Sequence, residues 1–224
     1  MKPNEFLYPF NWEERRPHLD GKLLFVPEYY DQHESFGPLD LNTIFGNKNP
    51  VYIEYCSGNG QWIIGRALEN PNVNWIAVEK QFGRAKQIFK KAKSNNLQNL
   101  FIVTGEALTF TRYYLRDNIA EKSFVNFPDP WPKDRHAKHR LITPSFAKEL
   151  TRILNPKGIS LFVTDHPLYA EQMVAVMQGE EKFSACHPAP YFVIDRKGYG
   201  ASFFKDLWND LGRTIHYIEY SNGC

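Results

Sequence analysis

The chain reads as an α/β protein built on a doubly wound, Rossmann-like and mostly parallel sheet, and two observations carry that reading. From residue 51 onward, short apolar runs alternate with longer amphipathic ones, the pattern of βαβ units whose sheet is covered on both faces. A turn bearing two glycines, Cys56-Ser57-Gly58-Asn59-Gly60, follows the first of those apolar runs directly, where open α/β sheets place their ligands.

In order, the strands expected are 51–55, 73–78, 100–104, 124–127 and 159–164, each a short run of β-branched, aromatic or aliphatic residues. Between them, amphipathic spacing predicts helices over 61–69, 81–95, 106–116, 144–154 and 168–178. Aromatic and β-branched runs near 191–194 and 214–220 predict antiparallel strands at a C-terminal edge. Residues 1–49 are rich in Pro, Asn, Asp and aromatics without steady periodicity and end in the loop composition Gly46-Asn47-Lys48-Asn49-Pro50. They are expected to form an N-terminal arm or cap, with 50–224 as the single main domain. No internal repeat or low-complexity segment interrupts this plan.

A length of 224 residues suits one well-cored domain of this class. With 27 basic and 25 acidic residues the formal charge is +2, so a nucleic-acid surface would have to come from local clustering and not from the whole field. Three cysteines, Cys56, Cys186 and Cys224, without C-x-x-C spacing, argue against a disulfide framework or a zinc site and for a reducing, cytoplasmic setting. None of the seven histidines has metal-ligand spacing. The first sixteen residues carry Glu5, Glu13, Glu14, Arg15 and Arg16, and no apolar run approaches the roughly 18 residues of a membrane span, so neither a signal peptide nor a membrane helix is expected. The composition leaves monomer and homodimer both open.

The 54–60 segment is the expected cofactor corner: Gly58 and Gly60 let backbone approach a ligand, and the helix start offers free N–H groups. Glu79 ends the second strand about 20 residues beyond the glycines, the place of a ribose-hydroxyl acceptor; on the residues alone it is equally a helix cap or a partner of Lys80. The most informative stretch is Asn126-Phe127-Pro128-Asp129-Pro130-Trp131-Pro132-Lys133, followed by Asp134-Arg135-His136-Ala137-Lys138-His139-Arg140. Three prolines in five positions fix φ and bias the preceding residues toward extended backbone, so Asp129 and Trp131 are expected on a stiff loop at the carboxyl end of a strand. Arg135, His136, Lys138, His139 and Arg140 then form a run without an acid, suited to phosphates. A second basic run, Arg84, Lys86, Lys90, Lys91 and Lys93, reads better as an exposed helix face.

The F-P-D-P-W-P-K segment trailed by R-H-x-K-x-R resembles the signature of the bacterial tRNA (guanine-N(7)-)-methyltransferase family. The resemblance implies a class I methyltransferase fold, S-adenosylmethionine as cofactor and tRNA as substrate, methylated on nitrogen 7 of a variable-loop guanosine. It implies that Asp129 is the active-site carboxylate, also facing the cofactor, and that Lys133 and Asp165 bind substrate. The turn is similar to the E-x-G-x-G-x-G of such enzymes beginning at Glu54, with Cys56 in place of the first glycine. Thr104-Gly105-Glu106-Ala107 resembles a G-D-A segment whose carboxylate lies near the adenine amine, so Glu106 is the implied adenine contact. A T-K-F-E motif that clasps the base is matched by Ser202-Phe203-Phe204-Lys205, where Lys205 reverses the charge of glutamate and neighbouring Asp206 offers a carboxylate. Trp131, or Trp12 from the arm, offers a platform on which an exposed base could stack. Two other readings stay open: a tRNA-binding protein on a decayed methyltransferase scaffold, motivated by Cys56 and Lys205, and a small-molecule methyltransferase, which leaves residues 133–140 unexplained.

Overall fold

The computed structural model describes residues 6–194 and 196–223; Glu5 and Cys224, both read above, lie outside them. The chain forms two compact units, one ending at Arg116 and the other beginning at Asp117. Both are α/β, as expected.

In the first unit the strands are β1 (His18–Asp20), β2 (Leu23–Phe25), β3 (Val51–Tyr55), β4 (Asn74–Glu79) and β5 (Leu100–Thr104). They lie in the order β1, β2, β5, β4, β3, and all pairs are parallel except the β1–β2 hairpin. Its helices are α1 (Leu41–Phe45), α2 (Gln61–Glu69), α3 (Phe82–Ser94) and α4 (Ala107–Tyr114). Every residue of β4 and β5 is buried, as strands covered on both faces must be. That is why these segments read as continuous apolar runs and not as alternating ones.

The first 49 residues do more than cap the core. Strand β2 pairs parallel to β5, with Leu24 opposite Val103, and the Val26 N–H donates to the Thr104 carbonyl at 2.9 Å. Phe6 is fully buried, with ring centroids 5.8 Å from Phe25 on β2 and 5.0 and 5.2 Å from Phe82 and Phe89 on α3. A three-residue strand is too short to show a period, and its partner lies some 80 positions away. Composition therefore displayed only a loop-rich arm.

The second unit holds β6 (Ala120–Asn126), β7 (Leu154–Thr164), β8 (Phe183–Ala185) and β9 (His216–Asn222), with α5 (Pro144–Ile153), α6 (Pro167–Gln178) and α7 (Phe203–Asp210). β6 runs parallel to β7, and β7, β9 and β8 then pair antiparallel, which is the expected C-terminal edge. Of the expected 191–194 strand only an isolated bridge, Val193 with Tyr217, forms. Helix α7 is not among the expected helices, and Gly212, at φ 70°, follows its end. Helix α5 starts at the predicted residue and α6 one residue before it, each with Pro at its first turn and a side-chain cap, Thr143 and His166 respectively.

Gly105 shows how tightly β2 is set against the sheet. A Cβ there would stand 2.5 Å from the Val26 Cβ and 2.7 Å from its carbonyl oxygen. Gly105→Ala is expected to lower stability by about 1–3 kcal/mol, by overpacking against backbone that cannot yield freely. Urea unfolding followed by circular dichroism checks this; an unchanged midpoint would mean that β2 detaches at little cost.

Candidate active site

In the first unit, parallel register brings the carboxyl ends of β3, β4 and β5 into line: Tyr55 stands opposite Val78 and Glu79 opposite Thr104. The turn after β3 is knitted to those ends. The Ser57 N–H donates to the Val78 carbonyl, its hydroxyl to the Glu54 carbonyl, and the Gly58 N–H to Glu79 Oε2 at 2.7 Å. Glu79 Oε1 accepts from the Gln81 N–H at 2.8 Å. Glu79 thus ties the residue that opens α3 to the glycine turn, while Lys80, its other expected partner, pairs with Glu28 at 3.1 Å. Glu54 and Glu79 are both buried, and Glu106 is exposed.

Gly58 and Gly60 take left-handed φ of 56° and 77°, and so does Cys56 at 60°. Cys56 therefore stands where glycine would be unstrained, at a cost of about 1–2 kcal/mol. Gly60 is required for a second reason: a Cβ would meet the Ile88 Cγ1 at 2.8 Å, so α3 presses directly on the turn. Lys91, grouped above with an exposed basic face, is half-buried instead. Its ammonium donates to the Asn59 carbonyl at 2.7 Å, and burial pulls its pKa below the ordinary lysine value. No local pattern distinguishes it from Lys90, because its partner lies 32 positions away.

Glu106 opens α4 as its N-cap, accepts from the Thr109 hydroxyl, and borders a cavity of about 390 Å³. Tyr30, His33, Lys80, Leu108 and Tyr113 line the same cavity. Two of these come from the arm. His33 is buried, with Nδ1 2.6 Å from the Tyr114 hydroxyl and its ring stacked on Tyr113, and burial lowers its pKa.

In the second unit, β6 delivers the F-P-D-P-W-P loop, and the Phe127 N–H donates to the Val163 carbonyl at 2.8 Å. The expectation of extended backbone before each proline is corrected at two positions. Phe127, before Pro128, has φ 48°, and Trp131, before Pro132, has φ 42°. Two bulky residues in the left-handed region on either side of Asp129 are true outliers, of the kind that persists only where surrounding contacts enforce it. Arg140 supplies such contacts: Nε donates to the Pro130 carbonyl at 2.7 Å, Nη2 to the Trp131 carbonyl at 3.2 Å and Nη1 to Gln172. Its guanidinium also lies 5.2 Å over the Tyr169 ring.

The basic run thus divides its work. Arg135 and Lys138 are exposed on a short 3₁₀ helix, Asp134–His139, while His136 and His139 pack on the Trp131 ring at 5.7 and 5.3 Å. Asp129 and Lys133 are exposed beside them. Asp165, after β7, is ion-paired with Arg213 at 2.5 Å. Ser202 is the buried N-cap residue of α7 and Lys205 sits in its first turn, with the Phe204 ring tilted against Phe127 at a centroid distance of 6.0 Å. From the arm, Trp12 is exposed, with Arg15 4.5 Å over its ring.

A family model described as "Putative methyltransferase" matches residues 48–217. The chain is 42% identical over 98% of its length, and 97% of the other's, to the tRNA (guanine-N(7)-)-methyltransferase of Chlamydia felis, and 40% identical over the same shares to that of Chlamydia abortus. The chain belongs to the tRNA (guanine-N(7)-)-methyltransferase family. A member from Leptospira interrogans is 29% identical over 92% of this chain and 95% of its own. Among solved structures, a 30S ribosomal A1408 methyltransferase from an uncultured bacterium superposes with a TM-score of 0.58, at 14% identity over 82% of this chain and 92% of its own. That likeness is one of fold. Among the described residues, no group of three His, Cys, Asp or Glu side chains could hold a metal ion, and no helix is long and apolar enough to cross a membrane.

Within this family's corner, Cys56 is a strained residue, and relieving it should register in stability. Cys56→Gly is expected to raise stability by about 0.5–1 kcal/mol, the relief of left-handed strain exceeding the added freedom of the unfolded chain. Chemical denaturation measures it; a loss of similar size would show that the thiol's contacts outweigh the strain.

Proposed function

We propose that this chain transfers methyl from S-adenosylmethionine to nitrogen 7 of a variable-loop guanosine in tRNA. Identity of 40% across almost the whole length of relatives bearing that enzyme's name is the observation that carries the reading. Those relatives carry an enzyme's name, which favours an active enzyme over a decayed scaffold. The main domain is taken as residues 50–224, in keeping with the matched span.

The residues of the first unit fit the cofactor. Glu79, fixed beside the glycine turn at the carboxyl end of β4, is the carboxylate for the ribose hydroxyls, and the cavity beside Glu106 offers aromatic and aliphatic walls with a carboxylate at the rim for an adenine amine. Gly58, Gly60 and the backbone from Glu54 would hold the methionine portion. When bound, the cofactor supplies an electrophilic methyl group on a sulfonium sulfur.

Nitrogen 7 of guanine carries an in-plane lone pair and no proton, so the protein has no proton to remove. Its task is alignment and charge stabilisation. As the N–C bond forms, the purine gains positive charge, and an exposed, rigidly presented carboxylate such as Asp129 stabilises it. Lys133 would hold the substrate beside it. Arg135 and Lys138 face phosphates, and Trp131, with His136 and His139 packed against it, is the platform for a base drawn out of its stack. Arg140 acts through the loop as a positioning residue.

The first test follows labelled methyl from S-adenosylmethionine into unmodified tRNA, with cleavage mapping of the product. Asp129→Ala should reduce kcat by about 10²–10³-fold, with tRNA affinity nearly unchanged. Full activity in that variant would remove Asp129 from the chemistry. Arg140→Lys keeps the charge but loses the fork that spans two carbonyls, so kcat should fall about tenfold or more while tRNA Kd holds within about threefold. A weakened Kd with kcat unchanged would instead make Arg140 a phosphate contact.

A further inference from the structure

Asp165 and Arg213 lie 48 positions apart, and strand register makes them meet. β7 pairs antiparallel with β9, with Thr164 opposite His216, so the residue leaving one strand faces the loop entering the other. Arg213 Nη1 donates to Asp165 Oδ2 at 2.5 Å. The guanidinium carbon also lies 4.0 Å from the Trp208 ring centroid, and the Arg213 N–H donates to the Trp208 carbonyl at 2.9 Å. The cation is thus held on two sides although its side chain is 49% exposed. Surface ion pairs contribute little to stability, so such restraint is more economically read as preparation for a ligand.

The pair borders a cavity of about 550 Å³ that His166, Pro167, Thr214 and His216 also line. That volume lies in the range of small-molecule pockets. His216 is 8% exposed, and its Nδ1 has no hydrogen-bond partner among the described residues. A buried nitrogen left in that state is one that an occupant or water completes.

We propose that Asp165 and Arg213 together read the Watson–Crick edge of the target guanine, Arg213 donating to O6 and Asp165 accepting from N1–H and the 2-amino group. The inference rests on the proposed methyl transfer to guanosine, and its new element is Arg213 as a specificity-determining residue. Guanine presents one acceptor followed by two donors along this edge, and the pair answers with a guanidinium beside a carboxylate. Adenine presents an amino donor where Arg213 donates and a ring acceptor where Asp165 accepts, so it is opposed at both positions. Reading this edge leaves nitrogen 7, on the other edge, open to the methyl group. It also supplies the acceptor that Lys205 cannot.

The test compares kcat/KM on two tRNAs, one with guanosine and one with 6-thioguanosine at the methylated position, sulfur being the weaker acceptor. Intrinsic differences in ring reactivity cancel when proteins are compared. The natural chain should prefer guanosine over the thio analogue by roughly ten- to a hundredfold more than Arg213→Met does. An equal ratio in the two proteins overturns the assignment, even if Arg213→Met is slower on both tRNAs. Thermal unfolding verifies that the variant folds; Arg213→Ala, which also removes the donor, carries the same comparison if it does not. Failure of the natural chain to methylate any guanosine would instead overturn the proposed function beneath it.

Discussion

Strand register decides where the chemistry-bearing side chains of this protein lie. In a parallel sheet every strand delivers its following loop to the same edge, and a one-residue slip would turn each side chain to the other face. With Tyr55 opposite Val78 and Glu79 opposite Thr104, the loops after β3, β4 and β5 leave side by side, and Gly58 can donate directly to Glu79. In the second unit, Asn126 opposite Val163 and Thr164 opposite His216 do the same for Asp129, Asp165 and Arg213. The fully buried runs of β4 and β5 help to hold such a register, because apolar area removed from water stabilises at about 25 cal/mol per Å².

On that frame the protein maintains strained backbone at the candidate site, among other places. Cys56, Phe127 and Trp131 each occupy left-handed φ without being glycine, at about 1–2 kcal/mol apiece. Each is held from outside its own loop. Lys91 and Glu79 hold the glycine turn, and Arg140, itself backed by Gln172 and Tyr169, holds Pro130 and Trp131. The clasp explains why a cationic run need not be wholly a phosphate surface: its last guanidinium is committed to carbonyls, and its histidines to an indole.

Most of the core was legible from the sequence because it is local. The five central strands and five helices declared themselves by apolar runs and amphipathic spacing, and the 100–104 strand and 61–69 helix have the predicted bounds. Strand β7 begins five residues early, through Asn155-Pro156-Lys157-Gly158, since a polar segment containing proline does not look like a strand; Asn222 clasps the carbonyls of Thr151, Leu154 and Asn155 there. Strand β2 and helix α7 were missed for the same reason. Three buried residues far from their partner, or eight residues set between glycines, carry no period of their own. At the site, carboxylates and glycines could be named from spacing, but Lys91, Arg140 and Arg213 act on groups remote in sequence, and only the fold brings those pairs together.

The division between carboxylates and cations follows from the charge balance of the reaction. Methylation at nitrogen 7 creates a cation on the base, so groups that touch the purine near that nitrogen should be negative or neutral, while groups that hold the strand should be positive. On the proposed reading Asp129 would meet the first requirement, and the exposed Arg135 and Lys138 the second. Arg213 would violate it if it stood alone, because an unpaired guanidinium near the developing charge would oppose the reaction. Its ion pair with Asp165 weakens that objection, because the net charge of the pair is zero. A net formal charge of only +2 is thus compatible with a polyanionic substrate, since each sign is concentrated where the substrate presents its opposite.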